Sequence, residues 1–159
     1  MKRCLCALLM AFCLCGCGAE ETLETVADEW IAPVMAQPRE ISIRLPEELV
    51  MPVLEQDGKK IYMAPGYELM LETYDSGDLD TTIRSLCGYD RENLTMVETR
   101  QENVKRYDFV WSAAGESGER LGRGVILDDG NYHYCMSVLR DQGDTLIVWR
   151  DVFNSFCLI

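Results

Sequence analysis

The single histidine of the chain stands two positions before a cysteine, and the two could form a catalytic pair. On the predicted strand 132–140, His133 and Cys135 project from the same face, because side chains alternate along a strand. A reactive thiolate usually needs a helix N-terminus or a nearby cation, and Cys135 lies in the middle of the strand. We therefore interpret the pair as a partly buried thiol beside an ordinary histidine rather than as a Cys–His dyad.

A short acidic segment, 75–80, carries the oxygen ligands that Ca²⁺ prefers. Its spacing departs from that of the EF-hand loop, because counting from Asp75 puts Gly77 at the third position and Asp80 at the sixth. We instead expect Asp78 to cap a helix. One histidine and scattered cysteines also lack the ligand spacing of zinc sites. The sequence therefore predicts no metal and no other cofactor.

Other catalytic motifs are incomplete in this sequence. The segment 115–118, Gly-Glu-Ser-Gly, is one residue short of a nucleophile elbow and lies between two predicted strands, as a tight turn would. The segment 122–124, Gly-Arg-Gly, has no following helix, so we interpret it as a bulge or a place of close packing. We therefore expect a non-catalytic binding or accessory module. The 27 acidic residues leave open the alternative of an extracytoplasmic enzyme with a carboxylate-based site.

The first seventeen residues have the organisation of an export signal. Lys2 and Arg3 make the start of the chain cationic, and residues 4–14 carry no charge. Leu14, Cys15 and Gly16 then precede Cys17. This order is typical of a secretory signal peptide. The eleven uncharged residues, at about 1.5 Å each, are too few to cross a hydrocarbon core about 30 Å thick.

The run Leu-Cys-Gly-Cys that ends at Cys17 resembles the lipobox of bacterial lipoproteins. The resemblance implies that 1–16 is a signal peptide, that it is cleaved before Cys17, and that Cys17 receives diacylglycerol. It further implies a lipid-anchored protein of the bacterial cell membrane, facing the extracytoplasmic side. The run departs from the common pattern at Cys15, where members of this family more often have Ala, Ser or Thr.

The charge of the chain limits its partners. Fifteen Lys and Arg face 27 Asp and Glu, and this formal net charge of −12 argues against nucleic acid. Removal of 1–16 would take away Lys2 and Arg3 and no acid, which makes the net charge −14. An anionic membrane repels such a chain, so we expect attachment through the diacylglycerol on Cys17. The further partner that we expect is a protein, peptide or cell-envelope ligand.

The mature chain is predicted to have two parts. Residues 17–37 are the lipidated cysteine and an acidic tether, and residues 38–159 form a single globular domain. Within the domain, alternation of apolar and polar residues predicts strands at 40–45, 53–56, 60–63, 67–74, 95–100, 105–113, 120–127 and 132–140. Asp57 and Gly58 predict a hairpin turn, and the last three strands predict an antiparallel meander.

Two helices are predicted to cover a sheet of about six or seven strands. The first begins after Asp78, ends at Gly88, and has one apolar face, formed by Leu79, Ile83, Leu86 and Cys87. The second begins near Asp144, and its apolar face is formed by Leu146, Val148, Trp149, Val152, Phe153, Phe156 and Cys157. The fold class is therefore α+β, an antiparallel sheet covered by helices that include an amphipathic C-terminal helix.

Both ends of the predicted domain resemble those of PsbP-like domains. The resemblance depends on the strand followed by proline at 41–46, and on the strand 132–140 followed by an aromatic-rich helix with Ser155 and Phe156. It spans most of 38–159 and implies an α/β/α sandwich. This fold occurs in extrinsic photosystem proteins, a nuclear-import factor and many bacterial lipoproteins. The resemblance assigns no functional residue.

Overall fold

The computed structural model describes residues 36–115, 118–141 and 146–159, with side chains from Trp149 onward in the last of these segments. The predicted signal peptide, Cys17 and the tether up to residue 35 lie outside the described residues. So do Glu116, Ser117 and the predicted helix start at Asp144. Ala36–Ile159 form one compact unit.

Within the residues that the structure describes, nine strands form two antiparallel sheets. The strands are β1 Ile41–Ser42, β2 Leu54–Gln56, β3 Lys59–Ala64, β4 Tyr67–Asp75, β5 Thr95–Gln101, β6 Val104–Gly115, β7 Gly118–Asp128, β8 Tyr132–Asp141 and β9 Cys157–Leu158. The large sheet has the order β2-β3-β4-β8-β7-β6-β5, and β1 pairs with β9 in a separate small sheet. The predicted meander is confirmed, because β6, β7 and β8 are antiparallel neighbours in chain order.

In the described ranges two α-helices accompany the sheet, α1 at Leu79–Cys87 and α2 at Leu146–Ser155, and Arg91–Asn93 form a 3₁₀ turn. The predicted caps of α1 are confirmed. The Asp78 carboxylate accepts hydrogen bonds from the amides of Asp80 and Thr81, and Gly88 ends the helix with a left-handed φ of 78°. No helix in the described part of the chain is long and apolar enough to cross a membrane.

Each face of the large sheet has its own hydrophobic core, because successive side chains of a strand point to opposite faces. Leu69 and Met136 belong to the core that includes Phe153 of α2. Phe109 belongs to the other core, which includes Ile83 of α1. The coarse prediction is therefore confirmed: the domain is α+β, built on a seven-stranded antiparallel sheet with helices packed against it.

The end of the chain differs from the prediction. One helix was expected to include Phe156 and Cys157, whereas α2 ends at Ser155 and Cys157–Leu158 form strand β9. The Arg106 guanidinium donates to the carbonyl oxygens of Phe153 and Phe156, at 2.9 Å and 3.1 Å. A side chain from β6 thus satisfies carbonyl groups that a continuing helix would have bonded itself.

The first predicted strand is shorter than expected. Alternation predicted 40–45, but only Ile41–Ser42 is a strand, and it pairs with β9 instead of joining the large sheet. The predicted face is nevertheless apolar and packed, since Ile41, Ile43 and Leu45 lie against the core beneath α2. The alternation therefore reports burial of one side of this segment, and pairing stops after two residues.

Candidate functional site

In the structure, the two side chains of the candidate Cys–His pair contact different groups. His133 Nδ1 lies 2.8 Å from Thr82 Oγ1 of α1, and Cys135 Sγ contacts the backbone carbonyl of His133 at 3.8 Å. Burial raises the pKa of the Cys135 thiol, and this side chain is fully buried. A buried thiol with a raised pKa is a poor nucleophile. The interpretation as a structural pair therefore agrees with the geometry.

The three described cysteines do not form disulfides with one another. Cys135 lies in the core, Cys87 is half-buried and Cys157 is exposed. Burial also raises the pKa of the Cys87 thiol. The domain is therefore held together by its two cores and not by disulfide bonds among these residues.

The buried histidine makes folding sensitive to pH. Burial lowers the pKa of His133 below its ordinary value of about 6.5, against the opposing charges of Asp128, Asp129 and Asp78. Below that pH the unfolded chain binds a proton that the folded chain still excludes. We therefore expect the free energy of unfolding to fall between pH 7 and pH 5, by at most about 1.4 kcal/mol per pH unit. Urea denaturation at several pH values measures this slope.

His133→Gln is the matched control for this prediction, because it removes the only histidine of the chain. Its stability should change much less over the same pH range, whatever its stability at pH 7. Asp78 and Asp129 have lowered pKa values, so they lose their contribution only at more acidic pH. An equal slope in the wild type and in His133→Gln would contradict the assignment to His133.

The acidic segment 75–80 serves the helix in the structure. Both carboxylate oxygens of Asp78 accept hydrogen bonds at the start of α1, and the Asp80 carboxylate lies 3.8 Å from the Arg91 guanidinium. Among the residues that the structure describes, no three of the His, Cys, Asp and Glu side chains come together as metal ligands. Capping and ion pairing therefore account for Asp78 and Asp80.

A cleft of about 740 Å³ lies beside α1 and β5 and gathers four carboxylates, those of Asp80, Asp90, Glu92 and Glu98. Two of them are neutralised by arginines, since Arg84 pairs with Asp90 and Arg91 with Asp80. The side chains of these pairs are about half exposed. Such exposed pairs in open clefts contribute little energy and are common on protein surfaces. The cleft therefore presents a solvated surface on which half of the carboxylates are neutralised.

The segment 122–124 is a place of close packing and not a phosphate loop. Gly122 is the cross-strand neighbour of Trp111, and Gly124 is that of Phe109. A Cβ atom at Gly122 would lie 2.0 Å from Trp111 Cε2, and one at Gly124 would lie 2.5 Å from Phe109 Cζ. Both aromatic rings therefore lie directly on the glycine backbone of β7. The prediction of close packing at 122–124 is confirmed.

A cluster of exposed apolar side chains lies at one edge of the large sheet, on β2, β3 and the loop before β2. We call it the β2 edge surface; its members and their exposed fractions are Val50 83%, Met51 77%, Val53 63%, Leu54 43% and Met63 61%. Leu54 is the cross-strand neighbour of Ile61, and Met63 follows two positions later, so Leu54 and Met63 share one face. Surfaces of this kind mark interaction sites on soluble proteins.

The β2 edge surface stays uncovered because the sheet is wider than its helices can cover. Seven strands about 4.8 Å apart make a sheet about 29 Å wide. Helix α1 has nine residues and is therefore only about 13 Å long. Its buried side chains pack on the half of the sheet that contains β6 and β7. No helix of the described residues packs on this face over the opposite half, which contains β2 and β3.

The two edges of the sheet differ in how they are protected. Strand β2 has β3 on one side and no neighbour on the other among the described residues. At the opposite edge, β5 exposes Val97, but Glu98 and Arg100 follow it on the strand. Charged residues on an edge strand discourage pairing with another chain. Strand β2 is shorter and carries one charged residue, Glu55, so what distinguishes this edge is the number of exposed apolar side chains beside it.

Charges next to the β2 edge surface are mostly acidic. The two nearby lysines are used in ion pairs, Lys60 with Glu55 at 2.8 Å and Lys59 with Glu72 at 3.2 Å. Glu68, the cross-strand neighbour of Met63, forms no ion pair with any residue that the structure describes. The surface is therefore apolar with a net negative border.

Sequence reasoning did not identify the β2 edge surface. The run Val-Met-Pro-Val-Leu at 50–54 was the available signal, because it is apolar yet interrupted by proline just before the predicted hairpin. Comparison of the chain with protein-family models, curated proteins and solved structures finds no match. What this protein does must therefore follow from the chemistry of its own surface.

Proposed function

We propose that this protein is a bacterial lipoprotein that acts as a non-catalytic binding module. Diacylglycerol on Cys17 holds it on the membrane, facing the extracytoplasmic side. Its β2 edge surface binds an extended segment of a partner protein, which adds to the sheet as a strand beside β2. The observation that carries the proposal is the open β2 edge with five large apolar side chains between 43% and 83% exposed.

The negative charge of the protein favours a partner segment that carries positive charge. A second copy of the chain would bring two acidic surfaces together, since each has 27 acidic residues against 15 basic ones. A segment with apolar side chains and flanking Lys or Arg instead complements the apolar surface and its border at Glu68. Such complementarity speeds association and weakens as salt is raised.

We also propose that the domain is a PsbP-like α/β/α sandwich. Support comes from the antiparallel sheet with a helix packed against each face, and from the order in which strands and helices follow one another. The lipoprotein proposal has separate support in the lipobox-like run at 14–17.

Membrane attachment is tested by Cys17→Ala. Labelled fatty acid should enter the wild type and not the variant, because the thiol of Cys17 is the acceptor in the proposal. The variant should also stay uncleaved or leave the membrane fraction. Equal labelling of the two proteins would contradict lipidation at Cys17 while leaving the binding proposal to its own test.

Binding is tested by photo-crosslinking on intact cells. A photoreactive residue at Val53 is compared with one at Val97, which is similarly exposed at 57% but lies on the charged opposite edge. Crosslinks from Val53 should map to one partner segment with apolar side chains flanked by Lys or Arg. Crosslinks from Val97 should lack that segment.

A pair of double variants measures whether the same surface carries the affinity. Val53→Ser with Met63→Ser removes apolar area from the β2 edge surface, and Val97→Ser with Val110→Ser removes similar area at the other edge. Affinity for a synthetic peptide of the mapped segment should fall about thirtyfold in the first variant only, because two large apolar side chains together contribute about 2 kcal/mol.

Three results would overturn the binding proposal. The first is equal crosslinking from Val53 and Val97. The second is a Val53 product that contains only a second copy of this chain. The third is turnover of a substrate by the protein that is lost when one or two carboxylates are changed, which would favour a carboxylate-based enzyme.

A further inference from the structure

A second concave surface lies at the other end of the molecule, between the β5–β6 hairpin and the residues that follow α2. Its volume is about 650 Å³, within the range of small-molecule sites. Leu127 and Phe156 lie at its base, but both are almost fully buried. Val104 and Leu158 are apolar lining residues that keep part of their surface exposed. Val104 and Leu158 are therefore the apolar surface that the groove offers to a ligand.

The rim of this groove is basic, although the chain is strongly acidic. Arg39, Arg100 and Arg106 line it together with one acid, Glu102, whereas the whole chain has nearly twice as many acidic as basic residues. The Arg106 guanidinium is committed to the Asp108 carboxylate at 2.7 Å and to two backbone carbonyls. Arg39 and Arg100 form no ion pair within 4.0 Å with the residues that the structure describes, so their guanidinium groups can meet a ligand.

Arg39 is held at the rim by its backbone. Its amide donates to the Tyr134 hydroxyl at 2.8 Å, and that hydroxyl donates to the Asp129 carboxylate at 2.9 Å. Tyr134 is fully buried in the core beneath α2. The Arg39 side chain also acts electrostatically on Asp129. The position of one cation is therefore fixed by the core, while its side chain stays exposed to solvent.

We infer that this groove binds a small anion that carries an apolar chain. The apolar chain lies on the partly exposed side chains of Val104 and Leu158. The anionic head meets the guanidinium groups of Arg39 and Arg100. Charge-assisted hydrogen bonds from arginine to an anionic oxygen are the stronger kind, which suits an otherwise solvated rim. This site is separate from the β2 edge surface and prefers the opposite charge.

Sodium dodecanoate is the probe, kept below its critical micelle concentration and titrated into the full-length chain. Isothermal calorimetry gives the affinity, and the alkylation rate of Cys157 locates the ligand, because this exposed cysteine lines the groove. Dodecanoate should slow alkylation of Cys157 several-fold. Cys87 lies outside the groove lining, so its alkylation rate should stay unchanged.

Charge variants separate the rim from general apolar binding. Arg39→Gln and Arg100→Gln should each weaken dodecanoate binding about tenfold, the loss expected for one charge-assisted contact. Arg150→Gln is the matched control, because Arg150 is an exposed arginine of α2 outside the groove. Dodecyltrimethylammonium has the same chain with a positive head and should leave Cys157 unprotected.

The inference is overturned if dodecanoate neither releases heat nor protects Cys157. It is also overturned if both dodecyl compounds protect Cys157 equally, or if Arg150→Gln weakens binding as much as Arg39→Gln. Each result is independent of the crosslinking at Val53. A negative result for the groove therefore leaves the proposal for the β2 edge surface unchanged, and a negative result for that surface leaves the groove unchanged.

Discussion

Replacing Gly122 with alanine is expected to destabilise the domain by about 3 kcal/mol, at the upper end of the usual cost of overpacking. The new Cβ atom would lie 2.0 Å from Cε2 of Trp111. Trp111 is only 8% exposed, so its ring must push into the core beneath α1 or leave it. Gly124→Ala should have a comparable effect through Phe109, whose Cζ atom lies 2.5 Å from the new methyl group. Urea denaturation monitored by circular dichroism gives both values.

Gly77→Ala is the matched control, because the nearest atom to a Cβ there is 3.8 Å away. Its stability should stay within about 0.5 kcal/mol of the wild type. A smaller side chain at the clashing position should restore part of the loss, so Gly122→Ala with Trp111→Leu should cost less than the sum of the two single changes. Additive losses, or a Gly122→Ala protein as stable as the control, would mean that ring and glycine are not in contact.

Truncation of the aromatic residues of α2 is expected to cost about 3–5 kcal/mol for each change, through lost transfer energy and an unfilled cavity. Trp149 is 5% exposed and meets Tyr67 edge-on, with ring centroids 4.6 Å apart. Phe153 is 1% exposed, and the Arg123 guanidinium lies 4.0 Å from its ring centroid. A domain of this size has a total stability of about 5–15 kcal/mol, so either Trp149→Ala or Phe153→Ala would remove a large share of it and lower the melting temperature.

Thermal unfolding of the two variants checks this expectation. Asn154→Ala provides the control on the same helix, because Asn154 is exposed to solvent. Its melting temperature should remain close to that of the wild type. If Trp149→Ala and Phe153→Ala also melted near the wild type, α2 would contribute little to the core, and the burial of these two side chains would have no energetic consequence.

Elements whose signals are close together in the chain were predictable from the sequence. Asp78 and Gly88 bracket α1, and their roles depend on hydrogen bonds and on backbone angles within one helical turn. The hairpin at Asp57 and Gly58 follows the same logic, since both residues adopt the positive φ that this turn requires. Alternation then gave the β6–β7–β8 meander, because short turns force consecutive strands to pair.

Features that depend on residues far apart in the chain were not predictable. Strand β1 pairs with β9, which lies at the opposite end of the domain sequence. Helix α2 ends where the Arg106 side chain donates a hydrogen bond to the Phe156 carbonyl oxygen, and Arg106 lies fifty residues earlier in the chain. His133 and Cys135 share a face, as alternation requires. The hydrogen-bond partner of the His133 imidazole, however, is Thr82, which lies fifty-one positions away on α1. Such contacts arise from packing of the helices on the sheet, which no local pattern encodes.

The sequence by itself determined which segments alternate, where α1 begins and ends, and how acidic the surface is, because each depends on residue type and near neighbours alone. Only the tertiary structure decided which apolar side chains remain exposed. Leu54 and Met63 have the same pattern as a buried strand face, and they stay exposed because a nine-residue α1 cannot span a seven-stranded sheet. The basic groove has the same origin, since Arg39 and Arg100 come together only when the start of the domain lies beside the β5–β6 hairpin.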